Sequence, residues 1–195
     1  MKVMQEELYG KLALTNILAS VWLGDWDRYE EIFHQMDAGL RESFPFHSEY
    51  NRDLVQLWHE NHFLIPGEYF VSPYFSSYKL NRVNVEERKE NLLCLIGTYE
   101  KVGFYFPLEQ ELYPDHLGCI TAFISALQQE RIKALQENNS ILDEQLYQLE
   151  KKIVCDYILP LKNEIKDAAE SKIHHPFLRQ FISYYFEVIG ELDRL

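Results

Sequence analysis

Apolar residues recur along most of the chain at intervals of three and four, the spacing that gathers side chains on one face of an α-helix. Leu8, Leu12, Ala19 and Trp22 keep this spacing through residues 3 to 23. Gly24-Asp25 then ends one helix and caps the next, over about 26 to 40. Ser48 is placed to cap a third helix carrying Leu54, Val55, Leu57 and Trp58. Asn84, with Glu87 three residues on, starts a helix over 85 to 102 whose apolar face is Leu92, Leu93, Leu95, Ile96 and Tyr99, with Gly103 closing it. Pro114 suits the first turn of a helix to about 136, whose apolar face is Leu117, Ile120, Ile124 and Leu127, with Phe123 alongside. Helices over about 140 to 158 and 161 to 172 follow, and His175 caps a closing helix that opens at Pro176 and is apolar on most faces. Strand-like alternation is almost absent. The pattern predicts one compact all-α domain over 1–195, with about eight or more helices.

Two stretches lack any helical period. Leu64 to Asn84 contains two prolines and a glycine, yet holds Tyr69, Phe70, Tyr74, Phe75 and Tyr78; Phe104 to Tyr113 is a second aromatic segment. Such rings either pack as a lid over the core or line a groove. A groove with aromatic walls and an acidic rim fits a peptide whose apolar stretch adjoins basic residues.

Charge sharpens that choice. The 195 residues carry 19 basic and 31 acidic side chains, a net of -12, which repels phosphate backbones and steers cationic partners in. Nucleic acid is excluded as the main partner. No run of about twenty apolar residues exists, so no membrane span is predicted, and the acidic amino terminus is unlike a secretory signal; a cytoplasmic protein is expected. Cys94, Cys119 and Cys155 show no CxxC pairing and read as small buried hydrophobes.

Signatures of catalysis are missing: there is no glycine-rich phosphate loop, no nucleophile elbow and no calcium loop. His59 and His62 stand three apart where a zinc helix needs four, and read as solvated or capping residues. Asp115-His116, flanked by Glu109 and Glu111, falls in the first turn of a helix. An aspartate there complements the helix dipole and a histidine can cap; the same pair could also carry a function, with His116 orienting Asp115 or changing charge near neutral pH. A hydrolase built on Asp115 and His116 and a helical adaptor for an unrelated partner both remain open on these residues alone.

Two motifs narrow the field. Pro73-Tyr74-Phe75-Ser76-Ser77-Tyr78 resembles the P-Y-x-S-x-Y loop, and Pro114-Asp115-His116-Leu117-Gly118 with Phe123 resembles the D-H-L-(A/G) helix start, of the TorD/DmsD/NarJ family of redox-enzyme maturation chaperones. The order of elements agrees over nearly the whole chain, to Ile158-Leu159-Pro160 and the closing Pro176-Phe177 helix. The resemblance implies a TorD-like fold, binding rather than catalysis, and no cofactor of the chain's own. It implies as partner the catalytic subunit of a molybdopterin oxidoreductase with its twin-arginine signal peptide, bound by a monomer or dimer. It also implies that Asp115 and His116 are the functional pair and that Pro73, Tyr74, Ser76 and Tyr78 are the loop motif, with Glu109 and Glu111 as further carboxylates for the client's arginines.

Overall fold

A computed structural model describes residues 2–105 and 112–191. Short polar side chains set the helix starts: Asp25, Asp37, Asn51, Asn84 and Asn139 each accept the backbone N–H three residues ahead, meeting a donor that the first helical turn leaves unpaired. The helices are α1 (Lys2–Leu23), α2 (Trp26–Gln35), α3 (Ala38–Glu42), α4 (Arg52–His59), α5 (Phe75–Lys79), α6 (Val85–Lys101), α7 (Leu117–Gln136), α8 (Ser140–Ile153), α9 (Lys162–Lys172) and α10 (Pro176–Glu191). Helical turns of other pitch join them: 3-10 turns at Pro45–Glu49 and Leu159–Leu161, and π-turns at Glu60–Leu64 and Val154–Ile158. Among the described residues the strand-like pairing is a single antiparallel bridge between Tyr74 and His116.

The all-α expectation holds, with local corrections. The helix over 26 to 40 breaks at Met36, which is extended, and restarts as α3 under its own cap, Asp37. Ser48 does not cap α4; it lies in the 3-10 turn with its hydroxyl donating to the Pro45 carbonyl, and Asn51 is the cap. α7 begins at Leu117 rather than at Pro114. The stretch from Leu64 to Asn84 contains a five-residue helix, α5. His175 starts α10 with its carbonyl, which accepts from Arg179 N–H, and not with its ring.

α7 and α10 form the centre because they are apolar nearly all round. α7 packs on α1 and α8 and buries Leu117, Ile120, Phe123, Ile124 and Leu127, with Phe123 against the rings of Tyr99 and Phe104; α10 packs on the 45–49 turn, α4 and α9 and buries Phe177, Phe181, Tyr185 and Phe186. Trp22 at the end of α1 meets Phe63, Phe181 and Tyr185 at ring separations of 5.2 to 5.4 Å, the tilted and edge-on geometries that aromatic quadrupoles favour. Gly24 follows at φ +67°, and the space beside it is filled by the His59 ring: a Cβ there would stand 2.9 Å from His59 Cε1. His59 and His62 are therefore core residues, not solvated ones. His59 Nε2–H donates to the Trp22 carbonyl at 3.2 Å, which fastens α4 to the end of α1. Of the cysteines only Cys119 is buried, while Cys94 and Cys155 are exposed.

Candidate functional site

The two sequence motifs meet. Tyr74 and His116 face each other across the bridge, with Phe75 N–H donating to the Asp115 carbonyl at 3.1 Å and Leu117 N–H donating to the Pro73 carbonyl at 2.8 Å. Chain segments some forty residues apart thus clasp each other by backbone bonds, and the side chains complete the joint.

Asp115 is 1 % exposed, and its Oδ2 accepts Ser76 N–H at 2.8 Å. Ser76 is the second residue of α5, whose own cap residue, Tyr74, makes no side-chain capping bond. Asp115 supplies that cap from across the clasp, placing a carboxylate at the positive end of the short helix. His116, also 1 % exposed, caps the other helix: its Nδ1 accepts Gly118 N–H at 2.9 Å. The ring proton therefore sits on Nε2, which is buried without a hydrogen-bond partner. The pair does not act as a dyad, since Asp115 serves α5 and His116 serves α7. Burial, and then the nearby His59, pushes the His116 pKa down to about 3, so this ring is neutral throughout the physiological range. A charge change near neutral pH is thereby ruled out for His116.

Each remaining motif residue has a mechanical part. Tyr78 donates its hydroxyl to the Ser72 carbonyl at 3.0 Å, closing the loop on itself, and Ser72 Oγ donates to Ser77 Oγ at 2.7 Å. Pro73 is buried, and the Tyr74 ring stands edge-on to His116 with centroids 5.0 Å apart. Leu117 enters the core. Gly118 lets α1 approach, because a Cβ at this position would lie 2.6 Å from Leu23 Cδ2 and 2.7 Å from its Cγ. From α6, Tyr99 donates to the Pro114 carbonyl at 2.8 Å, which holds the turn before α7 out of helical geometry.

The clasp brings together Pro73, Tyr74, Ser76, Tyr78, Asp115 and His116. Glu109 and Glu111 lie outside the described residues. Residues that the sequence does not single out for the site also belong: Tyr99, Leu23 and Phe75, whose ring packs on Tyr157 at 5.0 Å. Gly118 was visible as part of its motif, but its partner Leu23, on another helix, was not. Next to Pro114 runs a groove of about 320 Å³ lined by Ile96, Tyr99, Phe104, Tyr105 and Leu112, the kind of apolar surface a peptide can bury. The loop leading into the clasp, residues 65 to 74, is tied at its other end as well. His62 Nδ1–H donates to the Tyr69 carbonyl at 3.0 Å, Val71 N–H to the His62 carbonyl at 2.7 Å, and Lys172 Nζ to the Phe70 carbonyl at 2.9 Å.

No curated protein and no solved structure matches the chain. The nitrate reductase delta subunit family matches residues 33–160, more than half of the chain, and that span contains both halves of the clasp. The chain belongs to the nitrate reductase delta subunit family, the NarJ/TorD-like family of redox-enzyme maturation chaperones.

Proposed function

We propose that this chain is a cytoplasmic chaperone whose single helical domain, residues 1–195, binds the twin-arginine signal peptide and part of the core of a molybdopterin oxidoreductase catalytic subunit. It would hold that subunit until its cofactor is inserted and assembly is complete. The family match spanning both motifs is the observation that carries this reading. Charge and surface agree with it: a net of -12 attracts a cationic leader, and apolar surface lies beside the clasp. An exposed ion pair contributes only about 1 kcal/mol or less, so burial of the leader's apolar run supplies most of the affinity.

In this proposal Asp115, His116, Pro73, Ser76 and Tyr78 act by position. They fix the 65–74 loop and the starts of α5 and α7, so that the client meets a preformed surface and little ordering entropy is lost on binding. Tyr74, half-buried and edge-on to Tyr113, is the motif ring best placed to touch a client directly. Calorimetric titration with a synthetic twin-arginine leader and a twin-lysine control tests the reading. Binding at about micromolar strength, weakened in the control, is expected. A leader that does not bind, together with no capture of a molybdoenzyme subunit on co-expression, would overturn it.

A further inference from the structure

Four of the large apolar side chains that the fold leaves open to water stand in one place. Leu54 and Leu57, 50 % and 53 % exposed, are one turn apart on α4; Ile65, at 54 %, continues the same face two turns on, past Asn61, and Leu64, at 50 %, lies beside it. Of the apolar residues that the sequence places on this helix, α4 turns Val55 inward, together with His59, and leaves Leu54 and Leu57 outside.

The surroundings of this stripe are acidic. From residue 42 to residue 78 the chain has one basic side chain, Arg52, against Glu42, Glu49, Asp53, Glu60 and Glu68. Arg52 is already held by Asp27 at 2.7 Å and Glu30 at 2.9 Å. Alongside Leu64, a cavity of about 210 Å³ opens between α4 and the first turn of α2; its wall holds Asp25, Asp27, Gln56 and Glu60 together with Arg52, whose guanidinium takes Asp27 and leaves Asp25 and Glu60 to face an incoming cation. That volume accommodates a guanidinium or an ammonium group.

We infer that the outer face of α4 and this cavity form a docking surface for a peptide whose apolar run adjoins an arginine or lysine. The occupant is the client's leader, so the inference rests on the chaperone reading and names where the leader lies. The leucines and Ile65 bury the apolar run, and Asp25 and Glu60 of the cavity receive the cation. Charge selects this occupant. A second copy of the chain would bring Asp53, Glu60 and Glu68 against their own equivalents, and an anionic lipid surface would be repelled by the same groups. The stripe leads directly into the 65–74 loop, so the clasp bears on it through a loop tied at both ends.

The test is titration of the full chain with a synthetic twin-arginine leader, comparing wild type with Leu54→Ser/Leu57→Ser and with Asp53→Asn/Glu60→Gln. These side chains are half-exposed or surface groups, and circular dichroism with thermal melting checks that each variant folds. The leucine pair should weaken binding at least tenfold, about 1.4 kcal/mol. The charge pair should weaken it a few-fold and flatten its salt dependence. Amide shifts in the wild-type chain on adding the leader should cluster within residues 52 to 65, a readout that needs no variant. Equal affinity in the leucine variant, with shifts elsewhere, overturns the docking surface and leaves leader recognition standing. No binding to wild type overturns both. A dimer abolished by the leucine substitutions overturns the inference in favour of a second copy.

Discussion

Replacing Asp115 with alanine removes the acceptor that starts α5. The Ser76 N–H donates to it at 2.8 Å in a setting where Asp115 is 1 % exposed, so the amide left behind finds no ready water. Losing a cap of this kind costs about 0.5–2 kcal/mol, and a charge-assisted bond about 1.5–3 kcal/mol. Against this, alanine relieves the desolvation of a carboxylate whose Oδ1 is buried without a partner. The net expected loss is about 1–2 kcal/mol, or roughly 2–8 °C in melting temperature for a chain of this size. A five-residue helix cannot persist without external support, so the damage should concentrate there. Hydrogen exchange should show the amides of Ser76, Ser77 and Leu80 speeding up by more than the global change, while those of α10 follow the global change alone. Asp115→Asn keeps an acceptor oxygen and should recover at least half of the loss. An Asp115→Ala protein that melts like wild type, with Ser76 exchanging no faster, would refute the capping argument.

Other outcomes follow from the same geometry. Gly118→Ala should cost about 1–2 kcal/mol by chemical denaturation despite the better helix propensity of alanine, and adding Leu23→Ala should return part of it, since the clash is with that side chain. Glu150→Ala should cost about 3 kcal/mol in the same assay. Glu150 joins α8 to α7 by accepting from the Gln128 amide at 2.7 Å and from Arg131 at 2.8 Å; without it the Gln128 NH2 loses its acceptor and Arg131 is left with Asp143, at 2.9 Å, in a nearly closed site. Burial lowers the pKa of His59 to about 4 and that of His116 to about 3, so the unfolded chain takes up these protons first. Their contribution is full above the unfolded value near 6.5 and is lost as pH falls toward 4 and 3, about 2 kcal/mol per histidine between pH 7 and pH 5. Denaturation curves at pH 7, 6 and 5 check this, and His59→Gln or His116→Asn with unchanged pH dependence would sink it.

Much of this architecture can be read from the residues, because helix periodicity and Asx caps are local. Asp25 and Asn84 do what their positions predict, and α6, α9 and α10 start and stop within a residue or two of expectation. What escapes the sequence is long-range. Asp115 looks like the first turn of its own helix, yet it caps α5, and nothing local distinguishes the two. His59 and His62 look like solvated residues because their acceptors, the Trp22 and Tyr69 carbonyls, belong to other segments. The outward turn of Leu54 and Leu57 depends on which side of α4 meets α10, a tertiary choice. The single bridge between Tyr74 and His116 is too short to produce any alternation. In the motif pair, conversely, resemblance pointed to residues whose mutual contact neither segment reveals alone.

The clasp also orders events in time. Its partners lie 39 residues apart. On a ribosome adding about 5–20 residues each second, the loop containing Tyr74 emerges about 2–8 s before the aspartate that fastens it. During that interval α5 has no cap and the loop no anchor at its downstream end, so a nascent chain would display its aromatic residues unfixed. The fixed loop is therefore available only once the DH segment has followed.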